Sequence, residues 1–195
     1  MSVHPSFISP TLTYLTVEDT WMRLSQVIVK DAQYDSPKCH LHPKCLERTQ
    51  IDLLKSIHKF LDDPKKSQLI WLHGMAGIGK SAIAFTVAET MKSLKVTEKT
   101  HVEKQLRGTF FFSCDKTERH TTGYFFATLV YQLATNFPSI QSDVNRAICS
   151  NPTLLDADMP LSDQMEALFL QPLWKLQLRL HKCLPLTFVI DALDE

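Results

Sequence analysis

The sequence lacks any excess of charge: 21 Lys and Arg balance 21 Asp and Glu among 195 residues. A neutral chain has no basic stripe of the kind that holds nucleic acid, and no one-sign block of the kind that forms an interaction tail. It also lacks an apolar run of membrane-spanning length. The longest candidate, around Tyr124–Ala134, is broken by Thr128 and Gln132. The N-terminus has no basic-then-apolar secretory pattern. Five cysteines, at positions 39, 45, 114, 149 and 183, are odd in number and form no C-x-x-C pair, which fits reduced, intracellular usage. There is no internal repeat and no low-complexity tract. The expectation is a cytoplasmic chain with neither nucleic acid nor membrane as a partner, long enough for one domain with a core plus an extra segment.

What is present is a phosphate-binding string. Gly74-Met75-Ala76-Gly77-Ile78-Gly79-Lys80-Ser81 fits G-x-x-x-x-G-K-[ST] without a mismatch. The glycines let backbone N–H groups curl around phosphate oxygens at a helix start, where the dipole favours anions. Gly74, Gly77, Ile78, Gly79, Lys80, Ser81 and Ala82 are therefore the candidate nucleotide-binding residues. Lys80 would reach the β- and γ-phosphates, and the Ser81 hydroxyl would coordinate Mg²⁺. The context agrees with the string. Leu69–His73 reads as a short buried strand, and Ile83, Val87, Met91 and Leu94 fall on one helical face.

Three regions follow from the pattern. Residues 1–30 form a helical lead-in, with Val17, Trp21, Leu24 and Ile28 at helical spacing. Residues 31–66 form a linker and a helix from Glu47 to Leu61, stopped by Asp62-Asp63-Pro64. Residues 67–195 form an α/β unit. Its expected elements are strand 68–73, helix 80–94, an exposed loop from Lys95 to Gln105, strand Gly108–Ser113, helix Gly123–Asn136, a helix from Pro138 to Cys149, one or two helices over Ser162–Leu180, and strand Leu186–Asp191. Cys39, His40, His42 and Cys45 read as part of a linker rather than as a zinc site, because their spacing matches no familiar finger and adjacent ligands suit tetrahedral geometry badly. Phe110–Phe112 and Phe125–Phe126 read as core rather than as a base-stacking surface.

The chain closes on Phe188-Val-Ile-Asp191-Ala192-Leu193-Asp194-Glu195. An apolar strand running into an aspartate supplies the carboxylate that holds the Mg²⁺ shell opposite a phosphate loop, and a neighbouring carboxylate can orient the attacking water. Asp191 is the candidate metal residue beside Ser81. The small residue after Asp191, followed by acidic residues at the third and fourth positions, resembles the NACHT group of STAND NTPases. Trp71–Ser81, Gly108–Ser113, Phe126–Ala134, Gln171-Pro172-Leu173 and Val189–Glu195 are similar to the fungal, nephrocystin-like N-terminal NACHT module over about residues 45–195. The resemblance implies a P-loop NTPase three-layer α/β/α core with a parallel sheet. It also implies ATP (or GTP) with Mg²⁺ as cofactors, Asp194 or Glu195 as the catalytic carboxylate, slow hydrolysis coupled to signalling, and self-association of the full-length protein. Two departures stand out. The family's Cys-x-Pro-Gly-Thr-Arg is here Cys45-Leu-Glu-Arg-Thr-Gln50, without the arginine at 50, and Cys114 stands where the family often has arginine.

In the implied strand order, the strand after the second acidic motif lies between the first and third. The chain stops at Glu195, so the expectation is a fragment whose sheet has a gap of roughly 9–10 Å, two strand spacings. The sensor residues, winged helix and repeats that the resemblance implies are likewise not in the sequence. Two other functions compete with the switch. A metabolic kinase would gather arginines in a lid, whereas the six here are dispersed. A non-catalytic interaction scaffold derived from a NACHT domain is the alternative.

Overall fold

The structure, a computed structural model, describes residues 17–37, 44–46, 48–61, 69–93, 105–112, 122–180 and 186–192. Among them two strands form a parallel sheet, β1 (Gln105–Phe111) and β2 (Leu186–Asp191), with Thr109 opposite Val189 and Phe111 opposite Asp191. A bulge falls between Leu106 and Gly108. Parallel strands need a long crossover. Here it comprises α4 (Phe125–Asn136), α5 (Gln141–Ser150), α6 (Leu161–Gln164), a π-helical segment (Met165–Leu170) and α7 (Gln171–Arg179). The chain is thus a mixed α/β structure.

Alternation along the strands sends side chains to two different layers. Phe110, Phe188 and Ile190 pack with Leu129 of α4. Val189 and Phe111 face the other way, onto Phe85 of α3 (Lys80–Ser93). Ile83, Val87 and Met91 of α3 meet Ile57 of α2 (Ile51–Leu61), as the sequence spacing predicts. On the α4 side, α1 (Val17–Val27) sets Leu24 against Val130, Val144 and Ile148, and Trp21 stacks on Tyr131 at 4.8 Å. Across α5 and α7, Asp143 bonds to Arg179 at 2.6 Å and Lys175 at 3.3 Å. Burial alone would raise its carboxyl, but hydrogen bonds from Arg179 and Lys175 outweigh that and hold it below its ordinary range.

Three expectations are corrected. Residues 69–73 form no strand, and Leu69 and Trp71 are 82 % and 59 % exposed rather than buried. β-propensity describes a fit to a pleated, partnered surface; no strand among the described residues lies beside this segment to supply one. Helix α2 starts at Ile51 instead of Glu47, because Arg48 and Gln50 adopt left-handed φ of 67° and 54°, which no helix accepts. Strand β1 begins at Gln105, three residues before Gly108, so the expected loop ends earlier. The remainder of that loop, 95–104, lies outside the described residues.

The two edges of the sheet differ. In a parallel ladder, successive residues turn their N–H and C=O to opposite sides. The Phe112 N–H donates to the Asp191 carbonyl, so Phe110 and Phe112 face β2 while Arg107 and Thr109 face outward. That outward edge is closed. The Thr109 N–H donates to Gln132 Oε1 and Gln132 Nε2 donates to the Thr109 carbonyl, both at 2.9 Å. Asn136 Nδ2 reaches the Arg107 carbonyl at 3.4 Å. One side-chain amide of α4 thus stands in for the peptide group of a further strand. A strap over residues 29–37 adds to the closure: the N–H groups of Val29 and Tyr34 donate to the hydroxyls of Thr128 and Thr109, and the Cys45 N–H donates to the Thr86 hydroxyl of α3. Burial, then the nearby Asp35 and Glu89, push the Tyr34 hydroxyl above its ordinary pKa.

Candidate phosphate-binding site

The string Gly74–Ser81 forms a loop that leads from residues 69–73 into α3. Gly77 and Gly79 have φ of 80° and 91°, backbone that a Cβ disfavours. At Gly74 a Cβ would run into Ile78 Cδ1. The first intrahelical bond runs from the Ile83 N–H to the Gly79 carbonyl, 3.0 Å. The N–H groups of Lys80, Ser81 and Ala82 therefore have no carbonyl a turn earlier, and they form the positive pole of the helix dipole. Gly74 to Ile78 are exposed, while Gly79 to Ala82 are half-buried. An anion in this loop would meet backbone donors without unpacking any core residue.

Lys80 folds back over the loop. Its ammonium donates to the Gly74 carbonyl at 3.0 Å and the Met75 carbonyl at 3.3 Å. These bonds hold the cation at the loop and leave one of its three donor hydrogens for another acceptor. The string itself gives no sign of this arrangement, since it specifies the lysine and not its partners.

Asp191 ends β2 and is 7 % exposed. It lines the same cavity as Lys80, a space of about 430 Å³ that also takes in Ile83, Ala84 and Val87 of α3. Loop lysine and strand aspartate, far apart in sequence, thus meet at one space. Ala192 follows with φ of 54°, an uncommon conformation for a non-glycine residue. The small residue noted at this position in the sequence has a physical meaning that the pattern alone hides: a β-branched side chain would be strained there. Asp194 and Glu195 lie outside the described residues, as do Cys39, His40, His42 and Cys114. Cys45 is half-buried against α3, its N–H on Thr86.

Among the described residues no group of three His, Cys, Asp or Glu is placed to hold a metal. Mg²⁺ does not require one, because it binds through one or two protein oxygens together with waters and phosphates. A hydroxyl at Ser81 and a carboxylate at Asp191 are the hard donors it takes.

The model of the nephrocystin 3 N-terminal family matches residues 51–195, most of the chain. The chain belongs to that family. No curated protein and no solved structure matches it significantly. The span shared with the nephrocystin 3 N-terminal family opens on the first residue of α2 and contains the loop, both strands and the crossover. It leaves out α1 and the strap. No described helix is long and apolar enough to cross a membrane.

Proposed function

We propose that the chain binds a nucleoside triphosphate, ATP before GTP, as part of a NACHT-type STAND switch built on a P-loop NTPase core. The observation that carries the reading is the union of two left-handed glycines, an open helix N-terminus and Lys80 with the buried Asp191 at one cavity. The loop N–H groups and Lys80 hold and orient the phosphates. Ser81 and Asp191 would hold Mg²⁺, which neutralises charge on the phosphate oxygens when bound. Asp194 or Glu195 would orient the attacking water and accept its proton. Hydrolysis on this reading is slow and serves to reset a signalling state, and the switch works through self-association.

The segment before the loop, which joins no ladder among the described residues, favours a second reading, an interaction scaffold that retains a NACHT-like core without turnover. Both readings are open to direct measurement. Titration of a fluorescent triphosphate analogue with Mg²⁺ should show saturable binding, and Lys80→Ala should weaken it at least about tenfold, ~1.4 kcal/mol. Circular dichroism should show α3 intact in that variant. Unchanged affinity sinks the site assignment. Binding without Mg²⁺-dependent release of phosphate selects the scaffold.

A further inference from the structure

A second cavity, of about 470 Å³, opens between α5 and the run of α6, the π-helical segment and α7. It shares no lining residue with the cavity beside the loop. Two contacts fix how its walls run. Lys175 of α7 reaches Asp143 near the start of α5, and Gln164 of α6 donates to the Asp156 carbonyl just beyond the end of α5, at 3.1 Å. The walls are therefore antiparallel, and their charges sort to opposite ends. At one end stand Arg146 and Lys175, with Asp143 already held by Lys175 and Arg179. Toward the other stand Asp163 and Glu166, one turn apart. The C-terminus of α5 adds to the negative end. Pro152 has no N–H for the Ile148 carbonyl, and the Thr153 N–H goes to Asn151 Oδ1, so the last carbonyls of α5 form the negative pole of its dipole. Ala147, Leu154, Met159, Ala167 and Pro172 supply an apolar floor. Among the described residues no ion pair joins Arg146 to Asp163 or Glu166, so both signs of charge stay available in one cleft.

An occupant of one charge would satisfy one end and strip water from the other without replacing it, which is costly for an ionised group. A purely apolar occupant would fail at both ends. The ends lie roughly 6–10 Å apart, the rise of α5 from Arg146 or Asp143 to Ser150 at about 1.5 Å per residue. A single amino acid carries its two charges too close together to span this. Two or three residues of extended peptide, at about 3.3–3.6 Å each, match it. We propose that this cleft binds a short peptide of two or three residues with free termini and apolar side chains. Its carboxylate meets Arg146 and the remaining donors of Lys175, its ammonium meets Asp163 and Glu166, and its side chains cover the floor. The cavity volume lies in the range of sites that enclose small ligands. The π-helical turn belongs to this site: it contributes Glu166 and Ala167 to the wall, and such turns recur at functional sites. The inference rests on this cleft alone and does not depend on the nucleotide reading.

The test titrates the whole 195-residue chain with the tripeptide leucyl-alanyl-leucine by calorimetry at low salt. Saturable binding should appear at about a millimolar or below. Amidating the carboxyl terminus should weaken it roughly tenfold, and acetylating the amino terminus likewise, because each removes one charge-assisted contact. Arg146→Gln should weaken the free tripeptide by a similar factor and leave the amidated one unchanged. The pair Asp163→Asn and Glu166→Gln should do the same for the acetylated one. All three side chains are exposed, so these variants should keep the thermal midpoint of the parent. No saturation by the free tripeptide up to about ten millimolar would overturn the proposal. Equal affinity of the doubly blocked peptide would overturn it by reducing the site to an apolar groove. Equal affinity of free leucine, or variants that weaken free and blocked peptides alike, would overturn it too.

Discussion

The outer edge of β1 and the outer edge of β2 are two sides of the same small sheet, and they are finished in opposite ways. At β1 the buried Thr109 peptide group is met by the Gln132 amide, and the strap crosses beside it on the Thr109 hydroxyl. At β2 there is a cavity, lined also by residues 69–72, of which Leu69 and Trp71 lie largely in solvent. Open strand edges are templates for association, and proteins blunt those they do not use. Among the described residues the sheet is therefore capped at β1 and bordered by a cavity at β2. An amide side chain is an economical terminator, because it presents one donor and one acceptor at the spacing of a peptide group and offers no further edge beyond itself.

The contrast can be broken most severely at its closed side. Gln132→Leu keeps the volume within α4 but leaves a buried N–H and C=O of Thr109 without partners. It should destabilise the chain by about 2–4 kcal/mol and lower the thermal midpoint by on the order of 5–15 °C. Gln132→Glu retains the acceptor alone and should fall between; a midpoint for Gln132→Leu equal to that of the parent would remove the edge-closing role. Thr109→Val is the milder cut. It takes the acceptor from the half-buried Tyr34 N–H, worth about 1 kcal/mol, and Thr109→Ser should restore most of it in denaturant titrations. At the open side the same kind of change should do almost nothing. Leu69→Lys alters a residue 82 % exposed and should shift stability by no more than about 0.5 kcal/mol. A loss comparable to that of Gln132→Leu would show that the two edges are not different in kind.

How far the sequence discloses this fold depends on the range of the interaction that decides each element. Helical spacing placed Ile83, Val87 and Met91 on a buried face, and the apolar run Leu186–Asp191 is the second strand to the residue. Those are local patterns. Leu69–His73 has an equally apolar pattern and is no strand, because a strand is a relation between two segments, and the second is not among those described. Gln132 interrupts an apolar helix and reads only as a polar break; its partner, Thr109, lies 23 residues away and becomes visible only in three dimensions. The π-helical turn at Met165–Leu170 and the left-handed Arg48, Gln50 and Ala192 have no glycine to announce them. At the candidate site the string disclosed the loop and its helix. It was silent on the lysine's return to the Gly74 and Met75 carbonyls.

Two of the threonines that receive backbone N–H groups from residues 29–37 and 44–46 do more than accept them. Thr86 and Thr128 each spend their hydroxyl hydrogen on a carbonyl of their own helix, that of Ala82 and Tyr124 respectively, so their lone pairs are left aimed outward at Cys45 and Val29. Each of these two threonines therefore bonds in two directions at once, inward to its own helix and outward to the passing backbone, which fastens Cys45 to the helix that begins at Lys80 and Val29 to the helix on the opposite face of the sheet.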